Sequence, residues 1–194
     1  TETAGQGMPA LAMTDHGNVF GAYEFYTKAG RHGVKPLIGM EAYLTPGTSR
    51  FDKTRVRWGN GDEDDVSGGG AYTHLTLLAE NTGGMHNLFR LSSLASLEGF
   101  YFKPRMDREL LQTYSGGLIG TTGCPGGEVS TLLRLGRYDD ALAAAAEFRD
   151  ILEQINKKRG EHHAARAMRD TQLKQTENEV RIAELGVLGN ELVA

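Results

Sequence analysis

Four side chains of metal-ligating type stand at corresponding places along this chain. His16 closes a short apolar run, Glu41 is the one acid within a second, His74 lies in a third, and Cys124 follows a fourth. Imidazole, carboxylate, imidazole and thiol are all donors for divalent first-row ions. Each alone has an ordinary structural reading, and a lone cysteine is most often a small buried hydrophobe. Four of them at the ends of successive apolar runs are harder to assign to chance. A mixed His/Glu/Cys set suits zinc, manganese or iron, and clustered divalent ions serve hydrolysis at phosphorus. Other histidines read differently. His86, beside Asn87 on a helical stretch, reads as solvated or capping, and the adjacent pair His162-His163 would point about a third of a turn apart, so it does not chelate one ion.

The elements that must position these groups follow from pattern and punctuation. The stretch from Ala10 begins as an apolar run of strand length and breaks at Asp15-His16-Gly17, the kind of turn where parallel α/β folds place their chemistry. Val19, Phe20, Tyr23, Phe25 and Tyr26 give residues 19–31 the spacing of an amphipathic helix, which stops at Gly30 and Gly33. Residues 34–44 are a buried strand, so strand, helix and strand make a βαβ unit with parallel strands. Residues 46–70 read as a long exposed loop, functional or mobile. A strand resumes over 71–79, and a helix over 83–97 turns Met85, Leu88, Phe89, Leu91, Leu94 and Leu97 inward. An aromatic–basic connector, Phe100-Tyr-Phe-Lys103-Pro-Arg105, leads to a short helix near 107–111. The strand 116–122 breaks at Gly123-Cys124-Pro125 and is followed by helices over 128–135 and 138–155. On this reading residues 10–150 are parallel strands alternating with helices, with His16, Glu41, His74 and Cys124 at one end of the sheet. Residues 156–190 are polar with few apolar anchors and read as an exposed, weakly packed helix leading to a cut-off strand at Leu192-Val193-Ala194.

Composition sets the boundaries. The 194 residues carry 39% hydrophobic and 24% charged side chains, a globular balance with enough chain for a real core. A net charge of −4 argues against a surface that coats nucleic acid, though not against a local phosphate-binding cleft. One cysteine excludes an internal disulfide, and no apolar run approaches a membrane span, so the expected location is the cytoplasm.

Several separate runs then converge on one family. Pro9-Ala-Leu-Ala-Met-Thr-Asp-His-Gly-Asn-Val-Phe-Gly-Ala-Tyr-Glu-Phe-Tyr26, Val34-Lys-Pro-Leu-Ile-Gly-Met-Glu-Ala-Tyr43, Tyr72-Thr-His-Leu-Thr-Leu-Leu-Ala-Glu-Asn81 and Thr121-Thr-Gly-Cys-Pro-Gly-Gly-Glu128 resemble the polymerase-and-histidinol-phosphatase (PHP) domain. The version they resemble opens the α subunit of bacterial DNA polymerase III, as do Met85-His-Asn-Leu-Phe-Arg-Leu-Ser-Ser93 and Lys103-Pro-Arg-Met-Asp107. The resemblance implies a distorted seven-stranded (βα) barrel that holds up to three divalent ions and removes mispaired 3′ nucleotides. It implies His16, Glu41, His74 and Cys124 as metal ligands, with Asp15 as a neighbour orienting one of them. Lys103 and Arg105 become candidates for contact with DNA phosphate. Implied partners are DNA, the remaining domains of the polymerase and other replisome subunits, with no membrane. The parent would be a DNA-directed DNA polymerase, a nucleotidyltransferase with a PHP-type 3′–5′ exonuclease.

Departures from the family pattern shape the expectation. No His-x-His stands before Thr14 in this sequence, and the family's closing Asn-Asp-x-His is expected just after the strand Leu192-Val193-Ala194, at which the sequence stops. The expected fold is therefore an incomplete barrel lacking its first and last motif-bearing strands, with a partial PHP domain over 8–155 and a polar helical segment over 156–194. A non-catalytic scaffold packing against the polymerase or a proofreading subunit is the alternative.

Overall fold

A computed structural model of the chain describes residues 2–59, 65–153, 168, 169, 172 and 174. The segment 156–190, with its expected exposed helix and His162-His163, lies outside the described residues apart from those four positions. Among the described residues, no helix is long and apolar enough to cross a membrane.

The sheet is organised around β2 (Lys35–Leu44), whose alternation buries Met40, Ala42 and Leu44 completely on one face and leaves Glu41 on the other. β1 (Ala10–His16) runs parallel to it, Ala10 opposite Lys35 and His16 opposite Glu41. Beyond His16, Tyr43 and Leu44 pair in parallel with Arg105 and Met106 of β5 (Lys103–Met106), which forms a hairpin with β4 (Phe100–Tyr101). β3 (Thr73–Ala79) lies antiparallel to β2, with Leu44 opposite Thr73, and β6 (Leu118–Thr121) lies antiparallel to β3. The chain is thus mixed α/β, and the expectation of parallel strands throughout is corrected: β3 runs against both of its neighbours. A parallel return would need a crossover that carries the chain back along the sheet. The segment between β2 and β3 instead leaves and re-enters at the same end, so β3 starts where β2 stops.

Several of the helices cover the buried face. After a single turn, α1 (Glu2–Gly5), comes α2 (Ala22–Arg31), and the short glycine-rich α3 (Ser67–Gly70) precedes β3. α4 (Thr82–Glu98) is capped by the Asn81 side chain, which accepts the Gly84 N–H at 3.0 Å. α5 (Arg108–Tyr114) and α6 (Glu128–Arg134) follow, and residues 138–153 are a further helix, α7. The core joins Met40, Leu44, Leu75 and Leu77 of the sheet to Leu88 and Leu91 of α4 and to Phe148 and Ile151 of α7.

Two helix faces differ from the pattern reading. On α4 the buried residues are Gly84, Leu88, Leu91 and Ala95, while Leu97 is exposed. Ahead of and along α2, Val19, Ala22 and Phe25 pack on the core, whereas Phe20, Tyr23 and Tyr26 face outward. Both sets are spaced three residues apart, so periodicity alone could not choose between them.

Candidate metal centre

The site grows from the pairing of β1 with β2. His16 is the last residue of β1 and sits directly opposite Glu41. Gly17 then turns the chain with φ +69°, and its N–H donates to Glu41 O at 2.9 Å. A side chain at Gly17 would meet Pro104 Cγ at 2.8 Å and the Tyr43 ring at 2.9 Å, so only glycine lets the turn pass that close. On the other edge of β2, His74 faces Tyr43, one diagonal step from Glu41 on the same side of the sheet. Reversal of β3 puts the start of that strand, and so His74, at the end where β1 and β2 finish. Cys124 arrives from the turn after β6, which is held to His74 by the bond from its N–H to Gly126 O at 3.1 Å.

Glu41 is the hub. Its Oε1 accepts from His74 Nδ1 at 2.7 Å and from the Cys124 thiol at 3.1 Å, and its Oε2 lies 3.6 Å from His16 Nδ1. One donor atom from each of His16, Glu41 and His74 lies within 4.8 Å of the other two. Glu41 and His74 are largely buried, while 64% of the His16 side chain is open to solvent. The cluster therefore has a closed side and an approachable one. Burial pushes the Glu41 carboxyl up, but hydrogen bonds from Cys124 and His74, with the charge of both imidazoles, outweigh it and hold the group below the usual carboxylate range. Burial, and then the hydrogen bond to Glu41, push the Cys124 thiol up. His16, Glu41 and His74, two imidazoles and an ionised carboxylate from three strands, are a donor set that could hold a divalent ion, and the Cys124 thiol reaches Glu41 from a loop beside them.

An aromatic wall stands behind the donors. The Tyr43 ring centre lies 5.2 Å from that of His74, 6.2 Å from that of His16 and 4.9 Å from that of Tyr72. Burial, then the neighbouring Tyr72 and Glu41, raise the Tyr43 phenol above its ordinary value. Sequence reasoning passed over Tyr43, although its place two residues beyond Glu41 on a strand signals a shared face.

The remaining candidates separate. Lys103 is exposed and its Nζ lies 5.5 Å from the centre of the Tyr43 ring, at the rim of the cluster. Asp15 is not brought to an imidazole; its Oδ2 accepts the Gly21 N–H at 2.8 Å, at the entrance to α2. Arg105 is corrected. It is completely buried, and its guanidinium donates to the carbonyls of Gly99, Ala71, Arg50 and Asp52 at 3.0–3.3 Å, so it presents nothing to a phosphate.

Residues 1–158 match the PHP domain family. The DNA polymerase III subunit alpha of Saccharopolyspora erythraea is 58% identical over 158 residues, covering 77% of this chain and 13% of the relative. The protein of the same name from Mycobacterium leprae is 60% identical over 152 residues, with the same coverage. That from Thermus aquaticus is 52% identical over 139 residues, covering 72% of this chain and 11% of the relative. The chain thus spans about an eighth of the length of the first two of these curated relatives. With most of its length matched by one family, and its candidate donors gathered at one end of a mixed α/β sheet, the chain belongs to the PHP domain family.

Proposed function

We propose that this chain is the PHP portion of a bacterial replicative polymerase α subunit, cytoplasmic and engaged in DNA replication. In the longer protein it would supply metal-dependent 3′–5′ phosphodiester hydrolysis. The observation that carries this reading is the position of Glu41, one carboxylate within reach of two imidazoles and a thiol. His16, Glu41, His74 and Cys124 are the proposed ligands, and zinc, manganese and iron are the candidate ions. A divalent ion held there would supply Lewis acidity toward a phosphodiester and a nucleophile at neutral pH. The chain's own groups prepare for it. Glu41 is already ionised, Cys124 Sγ has to release its proton to ligate, and the Tyr43 ring lies beside both imidazoles. Lys103 stands where it can meet a substrate phosphate, the DNA contact proposed for this domain. The rest of the polymerase and other replisome subunits are the proposed partners.

Four converging donors with a single carboxylate suit one ion. Hydrolysis at phosphorus through a pair of ions about 3.5–4 Å apart needs further bridging carboxylates. This chain alone is therefore expected to bind metal without hydrolysing DNA. The test pairs zinc and manganese binding by titration calorimetry with nucleotide release from 3′-mismatched DNA, on this chain and on a longer polymerase that contains it. Expected are about one ion per chain, affinity lowered by about 100-fold or more in Glu41→Gln, and turnover in the longer protein alone. Absence of metal from both proteins would instead favour a scaffold that packs against the polymerase.

A further inference from the structure

The least ordinary backbone in the described residues lies at the tip of the β4–β5 hairpin. Tyr101 pairs with Lys103, which leaves Phe102 alone to reverse the chain. Phe102 has φ +60°, and among the described residues no other non-glycine has a positive φ. That conformation is unfavourable for a side chain with a Cβ, most of all a bulky one, and such residues gather at functional sites. Burial does not compensate here, because 61% of Phe102 is exposed.

Its surroundings are cationic. The Arg55 guanidinium carbon lies 5.3 Å from the centre of the Phe102 ring, and Lys103 follows directly in sequence. The neighbouring segment 50–57 carries Arg50, Lys53, Arg55 and Arg57 against one acid, Asp52, in a chain whose net charge is −4. Arg50 is held by Glu98 and Asp107, whereas Lys53, Arg55, Arg57 and Lys103 are exposed. The hairpin also abuts the donor cluster, with Pro104 against the Gly17 turn and Lys103 over Tyr43.

From this juxtaposition we propose that Phe102 is a stacking platform for the unpaired base at the end of a DNA strand, with Arg55 and Lys103 on the flanking phosphates. The inference rests on the nucleolytic reading above and deepens it by naming what selects the substrate. Every base has a π-face, so a ring flanked by cations holds single strands without reading sequence. A paired terminal base is held by its partner and by the stack beneath it, so moving it onto the ring costs unpairing and unstacking that an already unpaired base does not pay. A platform of one ring therefore favours frayed or mispaired ends over intact duplex, beside the groups proposed to cut them.

The test uses the whole chain in a chelating buffer, so that binding is read without turnover. An oligodeoxythymidylate carrying 2-aminopurine at its 3′ end is titrated single-stranded and as a matched duplex. The single strand is expected to bind more tightly and its fluorescence to be quenched. Phe102→Gly should lose about tenfold in affinity together with the quench, and Phe102→Tyr should retain both. Glycine accepts the positive φ, so Phe102→Gly should melt no lower than wild type. Equal binding of duplex and single strand, no quench in wild type, or an unchanged affinity in Phe102→Gly would overturn the proposal. Quenching that depends on Phe102, in a protein whose longer form does not hydrolyse mismatched DNA, would uphold the platform and refute the nucleolytic reading.

Discussion

A guanidinium removed from water must find its hydrogen bonds within the fold. Arg105 finds four carbonyls, those of Gly99, Ala71, Arg50 and Asp52, and, among the described residues, no carboxylate. Its burial pulls its pKa below the ordinary arginine value, with Tyr101 and Asp52 only partly restoring it. The planar fork suits this task, and an ammonium does not, because three donors on one nitrogen cannot span acceptors arranged around a plane. Arg105→Lys should therefore leave buried carbonyls unsatisfied and cost about 3 kcal/mol. Lys103→Gln, at an exposed position two residues away, should stay within about 0.5 kcal/mol of wild type. Urea midpoints of the two variants check the contrast, and an Arg105→Lys protein as stable as wild type would show the carbonyl network to be dispensable. In sequence, Lys-Pro-Arg reads as a basic pair ready for phosphate. Nothing local reveals that the acceptors for one of the two come from residues 50, 52, 71 and 99.

At the scale of elements, the segment between β2 and β3 is better tied than its composition suggests. Thr45 N–H donates to Met106 O, Val56 N–H to Gly70 O, and Arg50 pairs with Asp107. Asp65 closes its outer part, Oδ1 accepting the Trp58 and Val66 N–H groups at 2.8 Å and that of Gly59 at 3.4 Å. Burial pushes the Asp65 carboxyl up, but these bonds and the nearby Arg57 win and hold it below the ordinary 3.8. A carboxyl depressed in the folded state adds stability above its unfolded pKa and loses it as pH falls through the folded value. Wild type should then lead Asp65→Asn in melting temperature at neutral pH and lose that lead on acidification below 3.8. A lead that persists in acid would mean that Asp65 acts other than through its charge. Some elements were legible and some were not. Glu41 announced itself as an acid in an apolar strand, and the buried stripe of α7, with Ala141, Ala144, Phe148 and Ile151, has plain helical spacing. The direction of β3 was hidden, because a period of two reads the same both ways. The outer aromatics of α2 were hidden because two interleaved stripes share one spacing.

Over the whole molecule, the candidate centre adds to the backbone pairing and core packing that already join the strands, tying His16, Glu41 and His74 to the loop that carries Cys124. An ion bound to the folded state but not to the unfolded chain raises stability with concentration, by about 2.7 kcal/mol at a hundred times its Kd. The melting temperature should accordingly climb with added zinc, fall back with chelator, and ignore zinc in Glu41→Gln. A zinc response that survives Glu41→Gln would place the ion elsewhere. The donors are also far apart along the chain. Cys124 reaches Glu41 across 83 residues, and His74 reaches it across 33. Closing such loops is entropically slow, so the cluster cannot form from local structure. During synthesis, Glu41 and His16 would be out of the ribosome well before Cys124 is translated. Full ligation would therefore wait until β6 has docked on β3, and an ion held by all four donors would mark a chain whose sheet is already in register.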